Sequence, residues 1–143
     1  MMMRHALSLS LLFGAPVLFT QADSCGSTTP DVREVETDGG TWWVSYTPSP
    51  DPLPVQALFS LELSVASSLD HTDLIEDSQI KVDAWMPSMG HGMNVVPKVV
   101  SHGDGTFTVS NMEFSMTGDW EILVDVTRQN VTEQAVFPVA CCE

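Results

Sequence analysis

The stretch Ala57-Leu58-Phe59-Ser60-Leu61-Glu62-Leu63-Ser64-Val65 most limits what this chain can fold into. Phe59, Leu61, Leu63 and Val65 alternate with Ser60, Glu62 and Ser64, a period of two that buries one face and wets the other. Gln79 to Met86 repeats the pattern, with Ile80, Val82 and Ala84 on one face, so Met86 follows the buried face by parity. Trp120, Ile122, Val124 and Val126 share parity in turn, and Trp120 supplies the largest anchor for a core.

From Asp31 onward, short runs rich in Val, Leu, Ile, Thr, Phe and Trp are separated by Gly, Pro, Asp, Asn and Ser clusters, the pattern of an all-β sandwich. Seven strands are expected: 40–46, 57–65, 79–86, 94–100, 106–112, 121–126 and 133–139. Pro97 marks the fourth as an edge. Pro48 to Pro54, with four prolines, reads as an extended connection outside any ladder. Gly103-Asp104-Gly105 reads as a hairpin turn, and the acidic stretch Leu69 to Asp77 as a loop that holds His71 toward solvent. No long helix, internal repeat, transmembrane segment or second domain is expected.

The 143 residues suit one globular domain once a targeting segment is removed. A formal net charge of -14, from 19 acidic and 5 basic residues, makes nucleic acid and anionic membrane surfaces poor partners and cations natural ones. The plainer reading is that scattered carboxylates keep an exported domain soluble.

Met1 to Arg4 form a short positive region and Ala6 to Phe19 an apolar run, the pattern of a secretory signal peptide over residues 1–24. Cleavage before Cys25 would leave either a lipid-bearing cysteine, as in bacterial lipoproteins, or a free thiol. Gly26-Ser27-Thr28-Thr29-Pro30 reads as a flexible tether and favours lipidation of Cys25, with residues 25–39 as a lipoprotein-type tether, 40–140 as the domain and 141–143 as a tail. The adjacent Cys141 and Cys142 have no distant partner if Cys25 carries lipid, and a bridge between neighbours is strained. They are read as a redox pair, a soft-metal pair or inert thiols on a frayed end.

Chemistry gathers in Trp85-Met86-Pro87-Ser88-Met89-Gly90-His91-Gly92-Met93. Thioethers and imidazole are soft or borderline donors that favour Cu(I), with Cu(II) admissible through the imidazole, over calcium, magnesium or manganese. Met89, His91 and Met93 are spaced by two, so along an extended edge they point to one face, with Gly90 and Gly92 leaving room for an ion. Met86 and Met116 are the additional donors expected from flanking strand ends. The competing reading is that flexible methionines fill an irregular core. Nothing supplies a Ser-His-Asp order, a phosphate-cradling glycine loop or a zinc-hydrolase helix, and an enzyme is not expected.

Trp85 to Gly92, Gly105-Thr106-Phe107, Phe114 to Trp120 and Ala135 to Val139 together resemble the YtkA-like domains, which are similar to the FixH proteins of bacterial oxidase assembly and to small copper-binding β-sandwich proteins. The resemblance implies a seven-stranded antiparallel immunoglobulin-like sandwich outside a bacterial membrane. It also implies a copper site in the Met-Pro-x-Met-x-His segment and an envelope copper-transfer or oxidase-assembly partner. The expected function is therefore an exported, lipid-anchored module in the cell envelope that holds or transfers Cu(I). The alternative is a metal-free immunoglobulin-like domain that uses the methionine-rich loop to contact a protein.

Overall fold

In the computed structural model, residues 24–25 and 32–141 are described. The signal segment up to residue 23, the tether residues 26–31, Cys142 and the side chains of Cys25 and Cys141 lie outside that description. Eleven strand segments follow one another: β1 Ser24–Cys25, β2 Glu34–Glu36, β3 Trp42–Ser49, β4 Leu53–Pro54, β5 Leu58–Ser67, β6 Gln79–Met86, β7 His91–Gly92, β8 Lys98–Ser101, β9 Thr106–Glu113, β10 Gly118–Arg128 and β11 Val131–Cys141. Each of the seven expected strands has a counterpart among them. The other four segments are three residues or shorter, too brief to leave an alternating signature.

All pairing between strands is antiparallel. One sheet runs β2-β3-β5-β9-β8, a second β11-β10-β6-β7, and β1 pairs with β4. Trp42, Val44, Leu61, Leu63, Phe107 and Val109 from the first sheet form one apolar cluster with Val82, Ala84, Trp120, Ile122, Val124 and Phe137 from the second, a β-sandwich-type arrangement. The alternation read from Phe59 to Val65 holds, with all four apolar residues buried.

Strand pairing departs from expectation in three places, the first being Leu53–Pro54, which pairs with β1 although the proline-rich stretch was expected outside any ladder. Pro48 sits inside β3, opposite Leu61 on β5. Tyr46 donates its amide to the Arg33 carbonyl, so by alternation the Pro48 nitrogen also faces the β2 side, beyond the last β2 pair at Ser45. A missing N–H costs no ladder bond there. The sheet also begins within residues 25–39, because β2 pairs with β3 and Thr37 is buried.

Glu133 at the start of β11 ties that entry segment down. Its carboxylate accepts from the Thr37 and Thr41 hydroxyls and from the Thr41 amide at 3.1 Å. Burial pushes this carboxyl up, but the hydrogen bonds from Thr37 and Thr41 outweigh it and hold the group below its ordinary value. A lowered folded pKa stabilises above the unfolded value, and the gain disappears as pH falls through the folded one. Glu133→Gln therefore costs about 1–3 kcal/mol at neutral pH by stranding donors. Its urea midpoint converges with that of the wild type in acid; a deficit unchanged by acidification would mean that the charge is not what matters.

Candidate metal centre

The chain leaves the inner face of β6 at Met86, turns through 87–90 and returns as β7, pairing His91 with Met86 and Gly92 with Trp85. Met86 receives the amides of Met89 and Gly90 on its carbonyl, at 3.2 and 2.9 Å. Gly90 has φ +68, the left-handed region that lets the turn close. Met86 is buried and faces the core, so its cross-strand partner His91 lies on the same side of the sheet.

There His91 meets Trp120, ring centroids 6.0 Å apart in an edge arrangement. Trp120 in turn stacks on Phe114 at 4.9 Å and donates its Nε1 hydrogen to the Met116 carbonyl at 3.0 Å. Gly118, with φ +129, brings the start of β10 against Met86: a Cβ there would lie 2.6 Å from the Met86 Cε. Met86, His91, Trp120 and the Met116–Gly118 corner thus share one end of the β10-β6-β7 part of the sheet.

The other expected donors are placed differently. Met89 lies in the turn, 60% exposed, outside β7, so the run of three side chains spaced by two does not extend over it. Met93 donates its amide to Ala84 at 3.2 Å and packs partly buried against the core. Met86 is core, as its parity implied, and Met116 is 37% exposed beside the corner. Met112, four residues before Met116, is fully buried.

His91 Nδ1 lies 3.2 Å from the Gly92 carbonyl. A carbonyl only accepts, so Nδ1 carries the hydrogen, and in the neutral imidazole Nε2 is then the nitrogen with a lone pair for a metal. Among the described residues no group of three or more His, Cys, Asp or Glu side chains is placed to hold a metal ion. The donors available at this corner are one imidazole nitrogen and thioethers, a set suited to a soft monovalent ion rather than to calcium, magnesium or zinc. Trp120 was legible in the sequence as a core anchor, but not as the ring beneath His91, because that depends on β6 and β10 being neighbours.

Residues 59–125, from β5 through most of β10 and including all of this corner, match the family model described as YtkA-like. Over this span the chain is similar to the YtkA-like family. Comparison with curated proteins and with solved structures gives no match. The matched span includes both strand ends that meet at the corner and the turn between β6 and β7.

Proposed function

We propose that this protein is an exported module that holds or transfers Cu(I) in the bacterial cell envelope. The observation that supports the reading is His91, paired across the strands with Met86 and edge-on to Trp120, whose Nε1 holds the Met116 carbonyl. Met89, exposed in the adjoining turn, is the further thioether proposed to close over the ion, and Met93 lies opposite Ala84 two register positions along. Soft donors at a partly exposed corner suit an ion that is to be passed on.

Competition against a Cu(I) chelator, performed without oxygen, tests the donor set. Protonation removes the imidazole lone pair, so wild-type affinity falls on acidification and that dependence is absent in His91→Ala. Met89→Leu combined with Met116→Leu weakens binding by at least the roughly 10–100-fold that loss of a supporting partner costs at metal sites. Both side chains are exposed, so the fold is retained. Unchanged affinity in the double variant would remove the thioethers from the site.

The scaffold fits an immunoglobulin-like sandwich. Support comes from strand order: β3-β5-β9-β8 in one sheet and β6-β10-β11 in the other follow the ABED and CFG orders of that fold, with β7 added beside β6. Export and anchoring rest on the apolar run 6–19 ahead of Cys25. Cys25→Ser releases the protein from the membrane fraction, because retention needs the several acyl chains of a lipoprotein. A wild type found wholly in the soluble fraction would rule the anchor out.

A further inference from the structure

Strand direction sorts the connections of the sandwich into two ends. Phe114, just after β9, packs on Phe59 near the start of β5 and stacks on Trp120 near the start of β10, so the connections 50–57, 87–90 and 114–117 share the end that holds the metal corner. The connections 37–41, 68–78, 102–105 and 129–130 share the far end. There the Ser68 amide donates to the Thr41 carbonyl and the Val65 amide to the Gly105 carbonyl, and Glu133 clasps Thr37 and Thr41.

Charge is divided unequally between these ends. Asp38, Asp70, Asp73, Glu76, Asp77 and Asp104 stand in the connections of the far end. Those of the metal end contain Asp51 alone, ion-paired with Arg33 at 2.8 Å, with Glu113 and Asp119 behind them on the strands. This end also presents Leu58, 57% exposed, together with Met89 and Met116. Leu69 is exposed at the far end, but beside Asp70.

The chain enters the domain from the metal end. β2 is antiparallel to β3, with Glu34 opposite Ser45 and Glu36 opposite Trp43, so its start points toward the Ser49 end of β3. Arg33, just before it, reaches Asp51, and Cys25 lies opposite Leu53. Strands of eight residues such as β3 and β6, at ~3.3 Å per residue, set the far loops ~26 Å away. Salt screens charge over ~8 Å at physiological ionic strength, so the acidic loops exert little force at the metal end.

We propose that, where acyl chains on Cys25 anchor the protein, the metal end is its membrane-facing surface, with the phospholipid headgroup layer as partner. This orientation rests on that anchor and not on copper. The chains hold the domain upright, with Leu58, Met89 and Met116 toward the headgroups and the acidic loops in water. Turning it over would press the far carboxylates onto lipid phosphates. An ion held at the corner is then exchanged at the membrane surface.

The test uses the acylated wild type, copper-free and 15N-labelled, in nanodiscs of phosphatidylethanolamine and phosphatidylglycerol that carry a gadolinium-chelating lipid. Amides of residues 87–90 and 114–117 are expected to lose their signals, while those of 69–77 and 103–105 stay sharp. Leu58→Glu with Ser88→Glu, both at exposed positions, is expected to recover part of the first set by repulsion from the anionic lipid, with acylation retained by mass. In a protein whose mass shows the acyl chains, equal loss at both ends, loss at the acidic loops instead, or no recovery in the double variant would overturn the proposal alone. A mass without acyl chains would overturn the anchor, and this orientation with it.

Discussion

Trp120→Ala lowers stability by about 3–5 kcal/mol, the range for deleting a large buried aromatic whose site cannot collapse. Trp120 is 1% exposed, the largest of the fully buried side chains. It stacks on Phe114, which packs on Phe59 from the opposite sheet at 4.9 Å, so its loss opens the space where the two layers meet. It also removes the donor that holds the Met116 carbonyl and the ring that His91 rests against. Trp120→Phe keeps most of the bulk and costs chiefly the hydrogen bond, about 1 kcal/mol. Urea unfolding should show both midpoints falling in that order with little change in slope. An alanine variant as stable as the phenylalanine one would mean that the ring contributes no packing.

Gly105→Ala is the second severe change, at about 3 kcal/mol: the left-handed backbone alone costs a residue with a Cβ ~1–2 kcal/mol, and overpacking adds a further ~1–3 kcal/mol. The glycine has φ +83, and a Cβ would lie 2.9 Å from the Ile75 nitrogen and 3.0 Å from the Leu74 Cβ. Neither can retreat easily, because the Ile75 amide is bonded to the Val65 carbonyl at 2.9 Å while Gly105 accepts from the Val65 amide. Gly103 separates the two costs. It has φ +78 with nothing near the Cβ position, so Gly103→Ala shows the backbone term alone. Equal losses for the two substitutions, read from thermal midpoints, would show that the Ile75 contact is compliant.

Strand content was legible where alternation was long. Phe59 to Val65 and Trp120 to Val126 announce their buried faces, Pro97 announces the edge before β8, and Gly103 to Gly105 the hairpin. Met86 was legible as a core residue by parity, and it packs against the Gly118 corner. What the sequence concealed depends on contacts between distant segments. The clasp of Glu133 on Thr37 and Thr41 brings β2 into the sheet, but no local pattern around Glu34 to Glu36 marks a strand. His71, exposed in its loop as expected, also stacks on Trp43 with centroids 4.0 Å apart, a contact that no local pattern marks. His102, beside the Gly103 turn, meets the Thr108 hydroxyl at 2.9 Å. The spacing of Met89, His91 and Met93 suggested one continuous edge, which the positive φ of Gly90 interrupts.

The central claim is that a copper ion sits at the corner where β6 and β7 meet the start of β10. Methyl NMR of the methionines, recorded while Cu(I) is added without oxygen, addresses it directly. The account predicts saturable shifts at the methyls of Met86, Met89 and Met116, together with the His91 ring, at one equivalent or fewer, while the fully buried Met112 stays in place. Shifts confined to other residues, or none at any excess of Cu(I), would contradict it.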